Sequence, residues 1–140
     1  MTSSPTITLP QRDLLLEMAQ AVRPRAYAPY SNFKVGAAVL GANGQIYTGV
    51  NIENASFGLT VCAERNAIGA LVADGETKIT AVAVCTSNGV TPCGACRQVL
   101  LEFGDDIPIW LINEDSQTVR QTSLYTLLPD HFEQSQLDVS

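Results

Sequence analysis

Two short segments hold the residues most capable of chemistry: Cys62-Ala63-Glu64 and, further along, Pro92-Cys93-Gly94-Ala95-Cys96. Three thiolates at such a spacing can hold one zinc ion (Zn2+), and three protein ligands leave a fourth coordination position open for water. Glu64, two residues past the first thiol, is not needed as a ligand. It stands beside that water and is free to move protons. Each piece has a plainer reading. A lone Cys-x-x-Cys is shared by redox motifs and structural zinc knuckles. A structural zinc wants four protein ligands, and Cys85 could be the fourth. Cys85 lies in the middle of an apolar run, however, where a small buried hydrophobe is its expected role. Glu64 taken alone is an ordinary first-turn acid favoured by the helix dipole. The combination favours a catalytic zinc. His131 is the only histidine, and nothing near it in the sequence makes it a ligand candidate.

The elements that must position these residues follow from periodicity. Leu14, Leu15, Met18 and Val22 recur at helical spacing behind Pro10, which predicts a helix over 10–22. Pro24 and Pro29 turn 23–31 into loop. Residues 33–40 and 45–52 read as two strands around Gly41-Ala42-Asn43-Gly44, a hairpin. A helix over 62–73 closes at Gly75, and 79–86 is a buried strand. A short helix over 94–102 stops at Gly104. A second buried strand at 107–112, a short edge strand at 117–122 and a turn of helix near 123–128 complete the chain. Helices alternating with buried strands imply crossovers. The expected fold is a three-layer α/β/α arrangement with a mixed five-stranded sheet. Cys62 with Glu64, and Cys93 with Cys96, then fall at two helix starts, where the helix dipole and unpaired N–H groups favour thiolates. A site with three thiolates is rich in negative charge. Arg65 or Arg97, each just past a ligand, is expected to offset it by donating hydrogen bonds to the sulfurs.

Composition narrows the partners. At 140 residues the chain is expected to form a single domain over 1–140, and a hydrophobic fraction of 46% is ample for one core. The net charge is −6, and no basic run offers a footprint for a nucleic acid polymer or an anionic membrane. MTSSPTITLP has neither the apolar run nor the basic flank of a secretion signal, and no stretch is long enough to span a membrane. The expected location is cytoplasmic, so the four cysteines read as metal ligands or reduced thiols rather than disulfides. A charged fraction of only 16% suggests surface buried between subunits.

From Tyr27 to Phe132 the chain resembles the small, homo-oligomeric cytidine deaminases. The resemblance is carried by Tyr30-Ser31-Asn32-Phe33 leading into Val35-Gly36-Ala37-Ala38, by Asn51-Ile52-Glu53-Asn54-Ala55, by Cys62-Ala63-Glu64-Arg65, and by Pro92-Cys93-Gly94-Ala95-Cys96-Arg97-Gln98. It implies the cytidine deaminase fold and hydrolytic deamination of cytidine and deoxycytidine in pyrimidine salvage. It also implies roles. Cys62, Cys93 and Cys96 would bind one zinc per subunit, with Glu64 as proton shuttle. Phe33 would pack on the pyrimidine, Asn51 and Glu53 would bond the ribose hydroxyls, and the Ala63 N–H would bind the pyrimidine carbonyl. Phe132 resembles a C-terminal aromatic that closes a neighbouring subunit's site, and Tyr30 an interface residue, in a homotetramer with shared active sites. Phe57 departs from the tyrosine that many relatives carry there, and Asp130-His131 before Phe132 is less typical.

Other readings compete with this one. A polynucleotide deaminase would need a basic channel, which this acidic chain lacks. A deaminase of a nucleoside-like antibiotic such as blasticidin S shares the thiol motifs, but Phe33 and the Asn51-x-Glu53 pair favour plain nucleosides. A non-catalytic zinc protein would show no dependence on Glu64.

Overall fold

A computed structural model describes residues 6–137. The chain begins with a helix, α1 (Leu9–Val22), followed by a hairpin of β1 (Gly36–Gly41) and β2 (Ile46–Val50). Next come α2 (Ala63–Ala73), β3 (Ile79–Thr86), α3 (Gly94–Phe103), β4 (Pro108–Asn113), β5 (Thr118–Ser123) and a single turn, α4 (Leu124–Leu127). The strands form one five-stranded sheet in the order β2-β1-β3-β4-β5, with only β3 and β4 parallel. The mixed sheet expected from the sequence is therefore present. Part of the opening segment read for a leader lies outside the described residues.

Alternation along the strands builds the layers, because successive side chains point to opposite faces. Ala38 and Leu40, Ala81, Ala83 and Cys85, Trp110 and Ile112 pack with Leu15 and Ala19 of α1. Ala37 and Val39, Val82 and Val84, Ile109 and Leu111 pack with Ala63, Ala67 and Leu71 of α2 and Leu100 of α3. The central strands are covered on both faces, which is why they read as unbroken apolar runs. α1 opens on a capping box. The Thr8 hydroxyl accepts from the Gln11 N–H at 3.2 Å, and the Gln11 side chain accepts from the Thr8 N–H at 3.0 Å.

The topology brings two helix starts together. Gly36, the first residue of β1, is paired with Val50 at the end of β2 on one side and with Cys85 near the end of β3 on the other. β2 and β3 thus end at the same sheet edge, and each leads to a helix carrying a thiol motif. α2 lies close on β2. A Cβ on Gly49 would come within 2.4 Å of both the Ala63 carbonyl oxygen and the Ala67 nitrogen. The contact is with backbone, so the helix itself must move to relieve it. Gly49→Ala is expected to destabilise the protein by about 2 kcal/mol, lowering Tm by roughly 5 °C or more. An unchanged melting curve would show that α2 does not need this approach.

Two boundaries differ from expectation by more than one residue. β1 begins at Gly36 rather than at residue 33, and β2 ends at Val50 rather than at residue 52. Both differences come from Asn51, whose side-chain oxygen accepts from the Val35 N–H at 2.9 Å while its amide donates to the Phe33 carbonyl at 2.8 Å. A side chain replaces the ladder there, and Phe33 sits on a loop rather than opening a strand.

Candidate metal centre and substrate cavity

Cys62 is the N-cap of α2 and Cys93 the N-cap of α3, with Cys96 in the first turn of α3. The Cys93 and Cys96 sulfurs are 3.3 Å apart, those of Cys62 and Cys93 3.9 Å, and all three lie within 4.8 Å of one another. Zinc–sulfur bonds of about 2.3 Å in a tetrahedron require sulfurs roughly 3.8 Å apart. The cluster has that span, and it is the one group of three or more His, Cys, Asp and Glu ligand atoms so placed among the described residues. Its electrostatics also call for a cation. The Cys62 thiol is lowered to about 6 by its hydrogen bond with Cys96, helped by Cys93 and by the charge of Arg65. Cys96 is pushed up by the same bond with Cys62 and by its burial. Without a cation, one thiolate is held at the expense of the next.

Cys85 is not a fourth ligand. It belongs to the α1 face of the sheet, where its thiol donates to a Glu114 carboxylate oxygen at 3.3 Å, and burial pushes it up to about 12. His131 is placed away from the thiols too: its Nδ1 lies 3.0 Å from the Leu128 carbonyl oxygen and its Nε2 3.3 Å from Glu133.

Glu64 points from the first turn of α2 into a cavity of about 310 Å3 that it shares with Cys62, Ala63 and Cys93. Burial raises its carboxyl from the ordinary 4.5 to about 7, with a further push from Cys62. The same cavity is lined by Phe33, Asn51 and Glu53, so five of the non-thiol residues singled out in the sequence meet there. Asn66 helps to place them, its side chain donating to the Val50 carbonyl at 2.7 Å and tying α2 to the end of β2. Ser31, Val35, Thr60, Val84, Thr86, Val90 and Thr91 complete the wall; Ser31 and Val35 stand in a quoted motif but were given no site role, and the other five went unnoticed in the sequence. For Val84 there was a signal, since it shares strand parity with Val82 on the face that α2 covers.

Five expected site residues lie outside the cavity lining: Cys96, which is buried behind it in the thiol cluster, and Tyr30, Phe132, Arg65 and Arg97. Tyr30 is 52% exposed and meets Phe57 edge-on at 5.8 Å; Phe132 is 55% exposed, and its carbonyl accepts from Gln98 at 2.8 Å. Arg97 is a correction. Its guanidinium donates to the Pro92 carbonyl at 2.8 Å, the Leu127 carbonyl at 2.6 Å and the Thr91 hydroxyl at 2.8 Å. It braces the metal loop against the end of α4 instead of contacting a sulfur. The positive charge acting on Cys62 is that of Arg65.

Residues 10–111 match the profile of the cytidine and deoxycytidylate deaminase zinc-binding region. The chain belongs to that family. A probable cytidine deaminase of Dictyostelium discoideum is 42% identical over 125 residues, 87% of this chain and 84% of that protein. A cytidine deaminase of Sporosarcina psychrophila is 43% identical over 126 residues, 88% and 92% of the two chains. The crystal structure of a Burkholderia pseudomallei cytidine deaminase superposes with a TM-score of 0.80 at 46% identity, over 86% of this chain and 98% of that one. The deaminase family's fold is thus that of this chain. Zinc is its cofactor, with the Cys62, Cys93 and Cys96 cluster able to hold it.

Proposed function

We propose that the protein is a cytidine deaminase that converts cytidine and deoxycytidine, with water, to uridine and deoxyuridine plus ammonia, serving pyrimidine salvage. The observation that carries this reading is the shared cavity: a buried carboxyl beside three converging thiols, with an apolar ring and two polar side chains on the same wall. Cys62, Cys93 and Cys96 would hold the zinc, which would supply the Lewis acidity that activates water near neutral pH. Glu64 takes a proton from the attacking water and hands it to ring N3, which makes C4 electrophilic. As the water oxygen bonds to C4, Glu64 collects the second water proton from it and passes it to the amino nitrogen, and the C4–N bond breaks to release ammonia. A carboxyl held near 7 can do both at neutral pH. The Ala63 N–H, in the first turn of α2, has no acceptor within the helix and is free for the pyrimidine carbonyl. Phe33 provides the apolar face.

The sugar contacts can be counted. Glu53 Oε1 accepts the Tyr30 N–H at 2.9 Å and the Ser31 N–H at 3.1 Å, and Oε2 accepts the Ser31 hydroxyl. One acceptor site is left, on Oε2. Asn51 has already given one amide hydrogen to Phe33 and keeps one. Asn51 Oδ1, which accepts the Val35 N–H, keeps one acceptor site as well. Together they can hold a hydroxyl that donates to Glu53 and accepts from Asn51. If both proposed substrates are used, that hydroxyl is the 3′ one, present in each.

The ultraviolet absorbance change of cytidine on zinc-loaded protein tests the activity. Deoxycytidine is expected within a few-fold of cytidine in kcat/KM. 2′,3′-Dideoxycytidine should fall about a hundredfold or more, because a site built to bond a hydroxyl rejects the analogue lacking it. A deoxycytidine loss as large as the dideoxycytidine loss would move the clamp to the 2′ position. No turnover of cytidine would remove the proposal.

The wider setting is read in the same way. More than half of each of Tyr30 and Phe132 is exposed, which supports a homotetramer in which these aromatics close a neighbouring copy's site. The cavity admits a small ligand rather than a polymer, being at the low end of the roughly 300–1,000 Å3 of ligand pockets. No helix among the described residues is long and apolar enough to cross a membrane, and we place the enzyme in the cytoplasm as one domain over 1–140.

A further inference from the structure

We propose that Ser31 is a specificity-determining positioning residue, which aims the Glu53 carboxylate at the sugar and couples it to the aromatic wall. This rests on reading the cavity as a nucleoside site. The loop from Tyr30 to Phe33 belongs to neither helix nor sheet, and Asn32 within it adopts a left-handed φ of 57°. One backbone bond, from the Asn32 N–H to the Ala28 carbonyl at 2.9 Å, shapes it, and side chains supply the rest. Ser31 supplies two of the bonds that do this: its hydroxyl donates to Glu53 Oε2 and accepts from the Phe33 N–H at 3.0 Å. A hydroxyl has one proton, and here that proton is committed to the carboxylate. The bond occupies one side of Oε2 and leaves the other for a ligand. The two N–H groups on Oε1 hold the carboxylate plane. Ser31 also lines the cavity beside Phe33, Asn51 and Glu53.

Loss of the hydroxyl frees Oε2 to turn and accept water, while Phe33 stays held through its carbonyl, which accepts from the Asn51 amide at 2.8 Å. Binding energy drawn from the sugar should then fall, while the proton transfers by Glu64 are untouched. Ser31→Ala is expected to lower kcat/KM for cytidine about tenfold, the loss of one charge-assisted hydrogen bond. The loss should appear in KM, with kcat nearly unchanged. 2′,3′-Dideoxycytidine has no hydroxyl for the clamp, so its kcat/KM should change less than about twofold. Ser31→Thr keeps the hydroxyl at an exposed position and should restore discrimination. In a Glu53→Gln background, Ser31→Ala should add little, because the two act as one unit.

Zinc content and Tm, measured alongside, separate this effect from general loosening of the fold. Equal loss on both substrates, loss confined to kcat, or full additivity with Glu53→Gln would each overturn the assignment. Wild-type protein inert toward cytidine would instead bring down the nucleoside reading, and this inference with it. An active wild type whose Ser31→Ala variant keeps its discrimination overturns this inference alone.

Discussion

Glu64→Gln is expected to keep its zinc and its fold while kcat for cytidine falls by about a thousandfold or more, since a positioned acid–base group commonly contributes 10²–10⁴-fold. Glutamine matches the size and shape of the carboxyl in a site that is only 4% exposed. It cannot take a proton from water or return one to the ring. The substitution should also reveal what the site costs the fold. Burial raises the carboxyl from 4.5 to about 7, so the folded chain binds this proton more tightly than the unfolded chain. For such a group, stability of the metal-free protein falls as pH rises from the lower value to the higher, and the penalty is complete above the folded value. Above about pH 8, metal-free Glu64→Gln should therefore be more stable than wild type by up to about 3 kcal/mol. Near pH 4 the two should converge. Activity measured with zinc bound, and urea unfolding of the stripped proteins at the two pH values, check both halves. Retained turnover with zinc confirmed present would remove Glu64 from the mechanism. Equal stabilities at high pH would mean that the carboxyl is not desolvated in the folded chain.

Much of this site could be read before any coordinates, and the reasons are local. β3 runs over Ile79–Thr86, the span its near-continuous apolar run predicted, because both faces are covered and most of its residues have to be apolar. The helix starts at Ala63 and Gly94 follow from their motifs, with a cysteine in the cap position of each. What could not be read depends on partners distant in sequence. Nothing near Phe33 shows that the Asn51 side chain will take the place of the sheet ladder and hold it on a loop. Arg97 follows Cys96 directly, which suggested a sulfur contact. On a helix, however, the next residue points about 100° away, and Arg97 reaches Leu127, thirty residues on by sequence number. Thr86 and Thr91 have no chemistry of their own to flag them. They enter the cavity because β3 ends beside β1 at the edge where both helices start. Spacing therefore identified the reacting groups, while the walls that select a substrate emerge only from topology.

Cys96→Ala is expected to abolish zinc binding, and activity with it, and a parallel Cys85→Ala substitution shows why the site is open rather than structural. Both thiols are fully buried, so the two substitutions remove comparable volume. Only Cys96 faces the cluster, with its sulfur 3.3 Å from that of Cys93; the Cys85 thiol turns to Glu114 on the far face of the sheet. Two thiols cannot enclose an ion that three hold, so elemental analysis should find one zinc per chain in wild type and in Cys85→Ala, and none in Cys96→Ala. Metal binds the folded state alone. A thousandfold excess of zinc over its Kd should stabilise wild type and Cys85→Ala by about 4 kcal/mol, a rise of roughly 10 °C in Tm. Cys96→Ala should show no such rise. Zinc lost from Cys85→Ala as well would make Cys85 a fourth ligand, which closes the position that water needs and favours a structural ion. Zinc retained in Cys96→Ala would place the metal somewhere other than this cluster. Three thiols with no fourth protein ligand would leave a bound zinc a position for water, and Glu64 lines the cavity beside Cys62 and Cys93; that arrangement is what would separate a deaminase from a zinc knuckle.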